Sequence, residues 1–306
     1  MKLNSSEVSF GRHESFALRF GWLTKGLSAL IDDPKVFDRD DATVVLGVGK
    51  NMVSAIRYWI QATQIVARND KRFLELTPVG EIVFANGGDP YLEDEATLWL
   101  LHWLLATNST GATAIYWFFN HFHKPEFKSE EVASGLRDFV KQHIDAKVSA
   151  ATLKNDASLL LRMYVSASGS SRVAVEDALD SPLSLLRLQE RVDAKTFRGI
   201  PMERNEIPVP IFAYAIAEMF ESLRVEQLTV QQLMYSDAGR CAPGAVYRMT
   251  ENGLIRKLEQ LCAAMPELLA LNDTAGVHQL YRLKPFSSRE VLEDYYGSDG
   301  RRELAA

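Results

Sequence analysis

Residues 41–59, DATVVLGVGKNMVSAIRYW, constrain the fold more than any other stretch of the chain. Gly47 and Gly49 bracket one valine between two runs of helical apolar spacing. Glycine accepts the positive φ angles that a tight helix junction needs. The spacing predicts a short helix ending at Leu46, a turn at 47–49 and a second helix over 50–63. On that second helix Met52, Val53, Ile56, Trp59, Ile60 and Thr63 share one face. Lys50, Ser54, Arg57 and Gln61 share another, with Asn51 beside them and no acid among them. Such a face suits nucleic acid, with cations for phosphate and short polar groups for base edges. An ordinary amphipathic core helix with a solvated outer face has the same spacing, so this stretch alone leaves both readings open.

The flanks favour the first reading. Residues 65–68 and 73–76 read as two short strands around the polar turn Asn69-Asp70-Lys71-Arg72, a hairpin signal. Helix, helix, turn, helix and hairpin is the order of a winged helix, with Lys71 and Arg72 at the wing tip. The candidate DNA-binding set is therefore Lys25, Lys50, Asn51, Ser54, Arg57, Gln61, Lys71 and Arg72. Upstream, residues 9–26 crowd Arg12, His13, Glu14 and Arg19 among Phe10, Phe16, Phe20 and Trp22. A first helix is expected from near Ser15 to about Leu30, with Leu18, Trp22, Leu27 and Leu30 inward. The preceding arm reads as a basic arm for phosphate or a minor groove. A packed helix with a frayed arm is the plainer alternative. His titrates near neutrality, so Arg12, His13, Glu14 and Arg19 are also the candidate catalytic residues.

The chain has 306 residues, 47% of them hydrophobic, which favours two or three domains with real cores. The expected division is a winged-helix DNA-binding domain at 1–88, a helical domain at 89–170 and an α-rich C-terminal domain with short strands at 171–306. The fold class is thus mainly α, and a second winged-helix-like fold is expected near the C-terminus; no regular repeat is legible. Helices are read over 91–107, 112–122, 129–144, 149–164, 211–223, 228–235 and 251–265, and strands at 186–188, 196–198, 245–249, 268–271 and 276–283. Lys154-Asn155-Asp156 interrupts an otherwise apolar helix, and SASGSSR at 166–172 reads as a linker. Glu93, Asp94 and Glu95 read as helix-start acids that complement the dipole rather than as metal ligands. His102, His121 and His123 lack a defined third ligand and read as packing. The formal net charge of −6 argues against non-specific coating of nucleic acid, although residues 1–80 hold 11 Lys and Arg against 9 Asp and Glu. Two cysteines without a CxxC pair predict neither a disulfide framework nor a zinc site. The start lacks an apolar signal-peptide core and no run suits a membrane span, so a cytoplasmic protein is expected.

FGRHESFALRFGWLTKG, LGVGKNMVSAIRYW, DPYLEDEATLWLLHWLL and APGAVYRMTENGLIRKLEQL together resemble the SspB family, a widespread bacterial family. The resemblance covers most of the chain and is densest in its first hundred residues. It implies a role in single-strand DNA phosphorothioation, in which sulfur replaces a non-bridging phosphate oxygen. It also implies double-stranded DNA as ligand and DNA nicking as activity. The implied protein partners are a cysteine desulfurase, an ATPase and a phosphosulfate-reductase-like protein. The expected cofactor is a divalent metal ion, Mg2+ or Mn2+, with no organic cofactor, and a homodimer would suit a duplex. No PD-(D/E)xK or HNH arrangement is legible. The competing readings are a non-catalytic recruitment subunit and a winged-helix transcription regulator.

Overall fold

The computed structural model describes residues 3–85, 87–165, 181–237, 239–274 and 277–297. The expected linker at 166–172 lies outside the described residues. The chain opens with an extended arm, then α1 (Phe20–Asp32), a 3-10 turn (Val36–Asp38), α2 (Ala42–Leu46), α3 (Lys50–Ala62) and a hairpin of β1 (Val66–Arg68) and β2 (Leu74–Leu76). A short α4 (Pro78–Gly80) runs into one π turn at Glu81–Ala85. The middle part holds α5 (Glu95–Thr107), α6 (Thr113–His121), β3 (Glu126–Lys128), α7 (Ser129–His143), α8 (Ala150–Tyr164), β4 (Glu190–Arg191) and β5 (Thr196–Arg198). The last part holds α9 (Val209–Leu223), β6 (Gln227–Thr229), α10 (Val230–Met234), α11 (Pro243–Val246), α12 (Glu251–Ala264), β7 (Leu269–Thr274), β8 (Val277–Arg282) and α13 (Ser288–Tyr296). The protein is mainly helical with small antiparallel sheets, and no described helix is long and apolar enough to cross a membrane. Cys241 and Cys262 are free thiols.

An order of elements recurs that no sequence period announces. From α6 the chain runs helix, strand, helix, helix, two strands, and the sheet order is β3-β5-β4. From α9 it again runs helix, strand, helix, helix, two strands, with α11 inserted, and the order is β6-β8-β7. The first unit, α1 to β2, takes the same course without the opening strand. Strands from both sides of residue 170 share one sheet, since Phe127 of β3 pairs with Phe197 of β5. One apolar core runs from Leu18 to Tyr296 and joins all three units.

α5 is the hub of that core. Residues 96–107 are all buried, as expected of a helix that is apolar all round. Its polar groups find partners inside. His102 meets the Tyr164 hydroxyl through Nδ1 at 2.9 Å and the Val246 carbonyl through Nε2 at 2.8 Å. Burial pushes the His102 pKa down to about 3, so it is a neutral core residue with both nitrogens occupied. Asp94 caps α5 by accepting from the Ala96 N–H, and Asp89 accepts from the N–H groups of Glu93 and Asp94.

Four expectations fail, each for a physical reason. The helix expected at 228–235 starts only at Val230, because Leu228 and Thr229 pair with β8 and Thr229 then caps α10. α1 begins at Phe20, not near Ser15, because Glu14 and Ser15 take positive φ angles that no right-handed helix contains. The stretch at 245–249 is not a strand; Pro243 at the first helical position starts α11 instead. The stretch at 186–188 ends a 3-10 turn, with Arg187 left-handed, and pairing starts only at Glu190.

The junction between α2 and α3 behaves as the glycines predict. Gly47 caps α2 at φ 60°, and its N–H and that of Val48 close the last turn on Val44 and Thr43. Replacing Gly47 by alanine places a Cβ in the left-handed region and should cost about 1–2 kcal/mol of unfolding free energy. A lower urea midpoint at unchanged slope is the expected result; an unchanged midpoint would mean that the turn relaxes.

Candidate nucleic-acid interface

α3 packs its apolar side so tightly that its outer side is fixed in direction. Val53, Ala55, Ile56, Trp59, Ile60 and Ala62 are buried. α1 lies directly against them: a Cβ on Gly26 would stand 2.7 Å from the Ile56 Cγ2. Lys50, Asn51 and Ser54 are exposed on the opposite side, and Arg57 and Gln61 are half-buried at its edge. The chain supplies an acid here that spacing did not reveal. Asp38, in the 3-10 turn before α2, accepts from Arg57 Nη1 at 2.7 Å. An ion pair with so exposed a partner contributes about 0–1 kcal/mol, so it holds Arg57 only weakly.

The other candidates are distributed around this helix. Lys71 and Arg72 are exposed at the turn of the β1–β2 hairpin. Asn69 Oδ1 builds that turn by accepting from the N–H groups of Lys71 and Phe73. Lys25 is exposed on α1, which covers the buried side of α3, so it does not share the outer face of α3.

The arm at 11–16 is over-determined. The Asp156 carboxylate, on α8, accepts from the Gly11 N–H with both oxygens at 3.1 Å and meets His13 Nε2 at 2.8 Å. The Ser15 N–H donates to His13 Nδ1 at 3.1 Å, which assigns the proton of the neutral ring to Nε2. The His13 ring stacks on Trp59 of α3 at 6.3 Å between centroids and meets the Tyr58 edge at 6.0 Å. Trp59 Nε1 donates to the Phe16 carbonyl at 3.0 Å, and Arg162 of α8 donates to the Ser15 carbonyl at 3.2 Å. Glu14 at φ 51° and Ser15 at φ 63° are held in a sparsely populated conformation by these bonds.

The four candidate catalytic residues therefore do not converge. His13 is only 4% exposed and faces inward, with both ring nitrogens engaged. Arg12 and Glu14 face solvent on either side of it. Arg19 lies over the Phe16 and Trp22 rings at 5.9 and 5.3 Å. Asp156, which organises the arm, stands out in the sequence only as one member of a polar interruption in a helix. Its partners stand 143 and 145 residues away, beyond any local pattern.

Removing that carboxylate should release the arm. Asp156→Ala leaves the Gly11 N–H and the His13 Nε2–H without acceptors, a loss of about 2–4 kcal/mol. Amide hydrogen exchange at Gly11 and Ser15 should accelerate together with a lower unfolding midpoint. Exchange at wild-type rates would show that the arm is held by its aromatic contacts alone.

Known proteins share this architecture. The family model described as protein of unknown function (DUF4007) matches residues 10–296. A magnesium ion-bound SspB crystal structure superimposes with a TM-score of 0.83 at 28% identity, covering 98% of this chain and 90% of the other. A second SspB crystal structure gives a TM-score of 0.81 at 29% identity with the same coverage of 98% and 90%. No curated protein matches the sequence. With the family model spanning nearly the whole described fold, the chain belongs to the DUF4007 family and is similar throughout to the SspB structures.

Proposed function

We propose that this chain is a duplex-DNA-binding protein of a bacterial single-strand DNA phosphorothioation system, and that α1 to β2 act as a winged helix. The likeness to SspB along 98% of the chain supports the system. The observation that carries DNA binding is the outer face of α3, with Lys50, Asn51 and Ser54 exposed and the rest of the helix locked into the core. In this reading Lys50, Arg57, Lys71 and Arg72 take phosphates, and Asn51, Ser54 and Gln61 approach base edges. Lys25 sits apart and contributes at most to the field. His13 acts as a strut that fixes the arm, and Arg12 is the arm's phosphate contact. The implied partners remain a cysteine desulfurase, an ATPase and a phosphosulfate-reductase-like protein, and a homodimer would match a duplex. The proposed setting is the cytoplasm.

A second reading, DNA nicking, is favoured by the magnesium ion bound in one SspB structure. A Mg2+ ion on the described residues of this chain would rest on one or two carboxylates and water. Among the described residues no three His, Cys, Asp or Glu side chains gather in one group, and both Asp156 oxygens are occupied by the arm. Among the arm's candidates Arg12 and Glu14 are the exposed ones, since both His13 ring nitrogens are engaged.

Two measurements separate these readings. Log affinity for duplex DNA should fall linearly with log salt, and Lys50→Ala should flatten that slope by roughly one unit. An unchanged slope in both Lys50→Ala and Arg57→Ala would remove α3 from the interface. Purified protein that binds supercoiled plasmid without relaxing it in Mg2+ or Mn2+ fits the binding role. Relaxation in Mg2+ that EDTA abolishes, and that Glu14→Gln loses with binding intact, would establish nicking instead.

A further inference from the structure

Three helices occupy the third position of the recurring order: α3, α8 and α12. α3 opens Lys50-Asn51-Met52-Val53-Ser54, and α8 carries Lys154-Asn155-Asp156-Ala157-Ser158. The shared pattern is Lys-Asn-x-x-Ser, with an arginine further along at Arg57 in one and Arg162 in the other. In α8 the residues at 154, 155, 158 and 162 are all exposed, while Leu153, Asp156, Ala157 and residues 159–161 are buried. Positions i, i+1, i+4 and i+8 form one stripe along a helix. The two helices thus present the same side-chain types in nearly the same spacing.

α12 does not. Its opening is Glu251-Asn252-Gly253-Leu254-Ile255, with Glu259 exposed further along. Its one outer cation in this stretch, Arg256, is paired with Glu203 at 2.7 Å. The cationic, amide-bearing face is therefore a property of the first two units and not of the repeated order as such.

The arm bridges the two helices. The same short segment, 11–16, is bonded to Asp156 and Arg162 of α8 and packed on Tyr58 and Trp59 of α3. Only one imidazole stands between Trp59 and Asp156. Arg12 is exposed at the seam. The acids at this surface include Asp38, paired with Arg57 of α3 at 2.7 Å, Glu14 on the arm and Asp145 before α8, the latter bonded to the Ser5 hydroxyl at 2.6 Å.

We propose that α8 is a second DNA-binding helix, and that it engages the same duplex as α3 with the arm between them. Lys154 and Arg162 hold phosphates of the sugar–phosphate backbone. Asn155 and Ser158 supply neutral hydrogen bonds to the groove or to the backbone beside it. The inference rests on the reading of α3 as a DNA-binding helix and extends the site across two structural units.

The test uses the full chain and one duplex of about 20 base pairs, with affinity measured across a salt series. Lys154→Ala should flatten the slope of log affinity against log salt by roughly one unit, as one phosphate contact is lost. A Lys50→Ala, Lys154→Ala double variant should flatten it by roughly two. Lys154 is exposed, so unchanged unfolding midpoints serve as the control for folding, and Arg256→Ala should leave the slope at the wild-type value. A wild-type slope in Lys154→Ala, with Lys50→Ala still flattened, overturns the α8 assignment and leaves α3 standing. Wild-type slopes in Lys50→Ala and Lys154→Ala alike overturn both assignments together.

Discussion

Asp156 is a carboxylate at 4% exposure on the buried side of α8, a position that is costly unless every lone pair facing inward has a donor. The Gly11 amide and the His13 imidazole supply those donors. Much of the molecule's geometry depends on this one arrangement. It pins a segment with two consecutive non-glycine residues in the left-handed region. That segment sets the His13 ring against Trp59 and Tyr58, and so fixes how the first unit sits on the second. The outer faces of α3 and α8 owe their relative placement to a buried ion-and-hydrogen-bond cluster that neither face displays.

The rest of the molecule repeats this habit of burying polar groups to tie units together. Arg248 lies 4.9 and 5.4 Å from the Phe118 and Phe119 rings and donates to the Gly199 carbonyl at 3.0 Å; burial pushes its pKa down to about 10. Arg204 donates to the Tyr247 carbonyl at 3.1 Å. Glu218 of α9 accepts from the Trp103 indole of α5 at 2.6 Å and from the Tyr214 hydroxyl at 2.9 Å. Each joins elements distant in the chain, and each specifies a geometry that apolar packing alone would leave looser.

Local punctuation and periodicity made much of the first unit legible. Gly47 and Gly49 mark the junction, and the bounds of α2, α3, β1 and β2 match those expected from the residue pattern within about one residue. The amide and cation face of α3 was equally visible. Three other features were not, and for different reasons. Residues 15–19 read as the start of α1, while the interactions that bend the chain there come from residues 156 and 162. Asp38 reaches Arg57 across 19 residues, which no helical wheel reports. The recurring order of elements has no sequence period, because insertions such as α11 and unequal loops break the register. One missed signal was available: Ser287-x-x-Glu290 is a capping box and opens α13.

The clasp between the arm and α8 also orders events in time. Residues 11–16 emerge early during synthesis, but their partners Asp156 and Arg162 come about 145 residues later. At roughly 5–20 residues per second the arm waits on the order of ten seconds or more before it can close. Until then the arm has only its contacts with Trp59 and Tyr58, without the carboxylate that pins it. A nascent chain truncated before α8 would therefore hold the arm in a different setting from the one in the finished protein, and the clasp would close only when the second unit folds.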